Sequence, residues 1–153
     1  MPDGEEMKRV LRELFAAQKL AVLATCDEHG HPYTSLMAFA ATDNLDRLLL
    51  ATERSSRKFA NLSAEPRVAL LIDSRSNRDS DLKEAVAVTV MGRAEEVEPA
   101  EKGGLLRLYV AKHPQLEAFV TSPSCALIHV QVEVYYVASQ FQRVTELRPG
   151  DCW

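Results

Sequence analysis

From Glu5 to Lys19 the apolar residues Met7, Val10, Leu11, Leu14 and Phe15 recur at the i, i+3, i+4 spacing of a single helical stripe. Glu5 and Glu6 at the start and Lys19 at the end suit the helix dipole, so residues 1–19 predict an N-terminal helix that packs on the rest of the chain. The period then falls to two. Leu20 to Cys26 is a short apolar run, and Asp27-Glu28-His29-Gly30 is turn chemistry. Pro32 to Ala40 alternates, with Tyr33, Ser35, Met37 and Phe39 on one face and Thr34, Leu36 and Ala38 on the other. Two such strands joined by a turn predict an antiparallel hairpin. Thr42-Asp43-Asn44 makes a second turn before a third strand, Leu48 to Thr52.

Ser55 to Ala64 reads as a short helix stopped by Pro66, and Arg67 to Asp73 as a fourth strand. Ser74 to Asp81 has no apolar residue to hold it, which predicts a flexible surface loop over 74–83. Glu84 to Val97 is a long β run, with Val86, Val88 and Val90 on one side. Pro99 to Ala111 returns to helical spacing through Leu105, Leu106, Tyr109 and Val110. Gly103-Gly104 inside it costs about 2 kcal/mol against alanine and predicts frayed first turns. Pro114 starts a further short helix, Gln115 to Val120. Cys125 to Val137 is the clearest strand, with Ile128, Val130, Val132, Val134 and Tyr136 on one face and His129, Gln131, Glu133 and Tyr135 on the other. Residues 147–153 read as a tail.

Strands joined by short turns are antiparallel neighbours, which disfavours a parallel nucleotide-binding sheet. Neither G-x-G-x-x-G nor G-x-x-x-x-G-K-[ST] occurs. The expected architecture is mainly β: a six-stranded antiparallel Greek-key barrel with peripheral helices, forming one domain over 1–153.

Composition adds limits. A chain of 153 residues is long enough for a real core without a disulfide or metal staple. Cys26, Cys125 and Cys152 are too irregularly spaced for a disulfide framework or a zinc pattern. No apolar window is long enough to span a membrane, and the acidic start is the wrong opening for a secretory signal, so the cytoplasm is the expected location. With 18 basic and 22 acidic side chains the net charge is −4, which argues against a broad nucleic-acid-binding face.

One segment breaks a local rule. A helix starting near Ser55 should carry acidic residues in its first turn, yet Arg57 and Lys58 stand there, with Arg54 just outside. Three cations on a positive helix end repel one another unless an anion sits among them. A phosphate would resolve this, accepting from backbone N–H groups, from the Thr52, Ser55 and Ser56 hydroxyls, and from Arg57 and Lys58. The alternative is a solvated surface helix whose basic side chains reach away from its end.

From Leu20 to Glu96 the chain resembles the pyridoxamine 5′-phosphate oxidase-like family of FMN-binding split barrels. The resemblance rests on the order and spacing of several pieces. These are the Asp27-to-Pro32 turn, the strand Tyr33 to Phe39, Leu50-Ala51-Thr52-Glu53-Arg54-Ser55-Ser56-Arg57-Lys58, Glu65-Pro66-Arg67-Val68-Ala69-Leu70, and Val90-Met91-Gly92-Arg93-Ala94. It implies a homodimer with FMN in clefts between the subunits. It also implies that Ser56, Arg57 and Lys58 grip the FMN phosphate, that Ala51 and Thr52 flank the flavin, and that Ser35, Leu36 and Met37 line its ring and ribityl chain.

The departures matter as much. Ala87 stands where the oxidase has a flavin-contacting glutamine, and Ala40 where it has a basic residue for substrate. Of the tyrosine, arginine and serine that hold substrate phosphate, only Tyr109 is matched; His113 and Glu117 occupy the other places. The oxidase's C-terminal tryptophan-to-arginine signature is missing, and Gly150-Asp151-Cys152-Trp153 does not replace it. The resemblance therefore implies an FMN-dependent oxidoreductase for a small-molecule substrate or electron donor other than pyridoxamine phosphate. Alternatives are a non-enzymatic flavin-binding electron carrier or sensor, and a haem-binding split barrel with His129 as ligand. Tyr135, Tyr136 and Phe141 are candidates for aromatic contact with a flavin or for core packing. No metal site and no catalytic triad or carboxylate pair is expected.

Overall fold

The computed structural model describes residues 3–139 and 143–150. It opens with α1 (Gly4–Ala17), capped by Asp3, whose carboxylate accepts the Glu6 N–H at 2.7 Å. The strands are β1 (Leu20–Cys26), β2 (Pro32–Ala41), β3 (Arg47–Glu53), β4 (Arg67–Asp73), β5 (Ala87–Glu96), β6 (Cys125–Ser139) and β7 (Arg143–Leu147). Between them lie α2 (Arg57–Ala64), the one-turn α3 (Asp81–Glu84), α4 (Pro99–Lys112) and α5 (Glu117–Val120), the last preceded by a tight 3₁₀ turn at Pro114–Leu116.

The sheet order is β3-β2-β1-β4-β5-β6-β7, every pairing is antiparallel, and β3 also pairs with β6. That last pairing closes six strands into a barrel; β7 is an extra strand hung on β6. Inside, the alternate residues Leu23, Phe39, Leu48, Leu50, Leu70, Ile72, Val88, Val90 and Ile128 form the core, and α1 adds Met7, Leu11, Leu14 and Phe15 to the same cluster. A second cluster lies outside the barrel wall, where Leu105 and Tyr109 of α4 and Val120 of α5 cover Leu49, Ala51 and Leu127. No helix of the described residues is long and apolar enough to cross a membrane.

Turns set the register. Asp27 accepts the N–H groups of His29 and His31 and Gly30 takes φ +80°, so the hairpin closes with Cys26 opposite Pro32. Between β2 and β3, Leu45 holds a left-handed φ of 62° while its side chain is buried and its carbonyl accepts the Tyr135 hydroxyl at 2.6 Å. Tertiary contact holds a conformation that a branched side chain disfavours.

The structure differs from the sequence reading in four places. First, the faces of the long strand switch midway. Met91 pairs with Val134 and Gly92 with Val132, which leaves Glu133 as an extra residue in β6. The bulge reverses the alternation, so Tyr135 enters the core and Tyr136 turns outward. Second, β7 occupies Arg143–Leu147, between the last expected strand and the expected tail, where no strand was read; of its residues only Leu147 is buried, too weak a pattern to announce a strand. Third, α4 runs unbroken through Gly103 and Gly104, because both glycines face solvent while Leu105 and Tyr109 anchor the helix. Fourth, the 74–83 segment contains the start of α3, and the Asp81 carboxylate gathers the N–H groups of Ser76, Asn77 and Arg78. Phe141, Cys152 and the end of the tail lie outside the described residues.

The bulge explains Gly92. A Cβ there would overlap the Gln131 carbonyl oxygen and approach Val130 Cγ1 at 2.8 Å. Gly92→Ala is therefore expected to cost about 1–3 kcal/mol in urea unfolding, as overpacking against backbone does.

Candidate functional site

The segment singled out by its misplaced cations sits where β3 leaves the barrel. Thr52 is buried at the strand end, opposite Ala126 of β6, and its hydroxyl lies 2.8 Å from that of Ser56. Ser56 is the N-cap of α2, accepting the Phe59 N–H at 3.1 Å. The capping residue is thus Ser56, not Ser55. The first N–H groups of a helix have no intrahelical acceptor. With Phe59 met by Ser56, those of Arg57 and Lys58 are left at the mouth of the turn.

The three cations separate into two kinds. Arg54 forms a two-pronged bond with Glu96 at 2.6 and 2.7 Å and donates to the Pro123 carbonyl. The bond to Glu96 raises the Arg54 pKa, and the same bond holds the Glu96 carboxyl below its usual range. Arg54 therefore ties the turn to the end of β5 and does not compete for an anion. Arg57 and Lys58 form no ion pair among the described residues. Arg57 lies with its guanidinium 5.8 Å from the centre of the Tyr33 ring, while Lys58 turns into a neighbouring cleft.

That cleft has a volume of about 570 Å³. Its floor is Met37, Ala38, Ala51 and Thr52; Ser56 and Lys58 stand at one end; Leu20 and Leu36 form an open edge; Tyr109, His113 and Phe119 close the other side. Leu36, Met37, Ala51, Thr52, Ser56 and Lys58 are thus gathered in one place. Arg57 stands just outside the lining, beside Tyr33. Ser35 also lies outside it: its Oγ is buried without a hydrogen-bond partner. Tyr109 and His113, which the resemblance set at substrate positions, line the cleft, while sequence reasoning missed Lys19, Glu53, Leu116 and Phe119. No local pattern signals them, because they join the cleft only when α4 folds back over β3.

Tyr109 and His113 are both only 1% exposed, with ring centres 5.1 Å apart. His113 Nε2 donates to the Phe39 carbonyl at 2.7 Å. Burial pushes the Tyr109 hydroxyl up to about 12, with the Cys125 thiol adding to it. Cys125 itself is raised by burial first and by Glu53 second, so it is a packed thiol and not a thiolate nucleophile. Glu117 is not part of the lining.

His129 is buried on the outer wall, with the Arg47 guanidinium 3.5 Å from its Nδ1 and Arg47 paired to Glu101 of α4. Burial, and then Arg47, lowers its pKa. It lies outside the cleft lining. Tyr135, a candidate for flavin contact, is in the core.

Comparison with known proteins bears on the same residues. The sequence profile described as pyridoxamine 5′-phosphate oxidase matches residues 7–138. A pyridoxamine 5′-phosphate oxidase homologue of Schizosaccharomyces pombe is 34% identical over an alignment covering 49% of this chain and 44% of that protein. A haem-binding protein from Mycobacterium smegmatis superposes with a TM-score of 0.84 at 18% identity, over 99% of this chain and 60% of the other. An FAD-binding protein from Mesorhizobium loti superposes with a TM-score of 0.63 at 19% identity, over 81% of this chain and 88% of the other. The chain thus spans less than two thirds of the yeast and mycobacterial proteins. The likenesses at 18% and 19% identity concern the fold.

Ser56 organises this corner through its cap. Ser56→Ala is expected to lower stability by about 1 kcal/mol in urea unfolding, the usual cost of a lost N-cap. An unchanged midpoint would show that the helix start is held by other contacts.

Proposed function

The chain belongs to the pyridoxamine 5′-phosphate oxidase family, and from that premise we propose that it is an FMN-binding oxidoreductase acting on a small-molecule substrate or electron donor other than pyridoxamine phosphate. The observation that carries the proposal is the donor set at the end of the cleft. Lys58, the N–H groups of Arg57 and Lys58, and the Thr52 and Ser56 hydroxyls converge there, with Arg57 close outside and no carboxylate paired to either cation among the described residues. This is the chemistry that holds a phosphate dianion. Glu53 also lines the cleft, so the anion is assigned to the Ser56–Lys58 side.

The apolar floor and the volume suit a planar ring system extending away from that phosphate. A bound flavin would supply the redox chemistry at its ring. The chain's part is to bind and orient it. Lys58 and Arg57 hold the phosphate end, Met37, Ala38 and Ala51 offer a flat apolar floor, and the cover of Tyr109 and Phe119 keeps water from one side. Burial, which pushes Tyr109 up to about 12, keeps its hydroxyl protonated at pH 7.

The open edge supports a homodimer. Leu36, Val22, Leu71, Thr89 and Tyr136 lie in register across β2, β1, β4, β5 and β6 on the outer face. Leu36 is 66% exposed and lines the cleft at one end of this row, while Leu71 and Tyr136 are also exposed large apolar residues. A second copy laid on this strip would cover it and wall the cleft. Against pyridoxamine phosphate, Ala40 is buried under the outer cluster and Glu117 is acidic where the family resemblance calls for substrate-binding groups.

The test is FMN titration of the purified protein, followed by absorbance and flavin fluorescence. Wild type is expected to bind FMN, and Arg57→Ala with Lys58→Ala to weaken it about 100-fold or more, since each charge-assisted bond contributes on the order of 1.5–3 kcal/mol. The melting temperature should change little, because neither side chain forms an ion pair among the described residues and Arg57 makes only an exposed contact with the Tyr33 ring. Failure of the wild type to take up FMN overturns the proposal, and equal affinity in the double variant misplaces the phosphate. Reduction of the bound flavin by a nicotinamide donor favours the enzyme; inertness to every donor favours an electron carrier or sensor.

A further inference from the structure

A second cleft, of about 520 Å³, shares no lining residue with the first. It lies between α1, the turn after β2 and the end of α4. Its walls are apolar, with Phe15, Leu45 and Leu108, and two cations border it, Arg12 and Lys112.

Lys112 is unusual in its surroundings. Its ammonium donates to the Phe15 carbonyl at 2.7 Å and sits 3.8 Å from the centre of the Phe39 ring. Burial alone lowers its pKa to about 8. No carboxylate pairs with it among the described residues. An ammonium has three N–H donors. The carbonyl takes one and the ring face accommodates another, which leaves a third for the cleft that Lys112 lines. Arg12 spends one of its five donors on the Asp43 carbonyl, at 3.2 Å, and pairs with no carboxylate among the described residues. The Asp43 side chain is exposed and borders the same cleft as its one acidic group.

A half-buried ammonium without a counter-charge is costly, and a second cation nearby adds to that cost. The bond to Phe15 is a structural role, since it meets a last-turn carbonyl of α1. It does not account for an apolar cleft beside the ammonium or for Arg12 at its rim. We propose that this cleft binds a small aliphatic carboxylate, its charged end between Arg12 and Lys112 and its hydrocarbon body against Phe15, Leu45 and Leu108.

Octanoate is the probe, with octanol and inorganic phosphate as controls, in calorimetry and amide chemical-shift mapping on the full chain. Octanoate is expected to bind saturably and to shift the amides of Arg12, Leu108 and Lys112. Octanol lacks the charge and phosphate lacks the chain, so each should bind at least about tenfold more weakly. Lys112→Met should reduce octanoate affinity about tenfold or more, and Lys112→Arg should restore part of it. If Lys112→Met fails to fold, the exposed Arg12→Gln serves in its place with the same expectation. Uptake of FMN should be the same in these variants as in the wild type, which separates this site from the flavin proposal. Absence of saturable octanoate binding, equal binding of octanol, or wild-type affinity in the folded variants would overturn the inference.

Discussion

Closure of the barrel depends on one pairing, that of β3 with β6. It joins Arg47–Glu53 to Cys125–Gln131 in continuous antiparallel register and converts an open sheet into a cylinder. Most of the functional geometry follows from it. β2 pairs with β3 only as far as Leu50, so it is β6 that holds Ala51 and Thr52 in place as part of the cleft floor. The chain must then turn sharply off the barrel, and Ser56 starts α2 there. The same pairing creates the outer wall on which α4 and α5 pack, and that cover gives the cleft its second side. A strand edge in place of this closure would leave Thr52 and Lys58 on a fraying end.

The electrostatics of the corner rest on a division of labour. Arg54 and Glu96 neutralise each other and fasten the turn to β5. Arg57 and Lys58 form no ion pair among the described residues. A net charge of −4 for the whole chain conceals this, since charge acts over about a Debye length and not over an average. Asn61 contributes from below: its side-chain amide donates to Thr25 at 3.1 Å inside the protein, so α2 is docked by a buried bond as well as by Leu62.

Much of the fold was legible because strand alternation is a local signal. Alternation grouped Met37 with Phe39 and Val88 with Val90, and both pairs line the core. Long-range choices were not legible. Nothing near Arg54 indicates Glu96, and nothing near Ala51 indicates Tyr109. The Glu133 bulge is a two-strand event, and it inverted the expected faces of Tyr135 and Tyr136. The opposite error occurred at Gly103-Gly104, where propensity argued for fraying and burial of Leu105 and Tyr109 prevailed. At the candidate site the basic residues stood out in sequence because they violate the helix dipole. The apolar cover of the cleft obeys every local rule and so gave no sign.

The most direct measurement compares FMN with riboflavin on the same protein at the same salt concentration. The two differ only in the phosphate that Lys58, Arg57, Thr52 and Ser56 are assigned to hold. FMN should bind about 100-fold or more tightly than riboflavin, as expected for several charge-assisted bonds. Equal affinities for the two flavins would contradict the assignment of that corner to a phosphate.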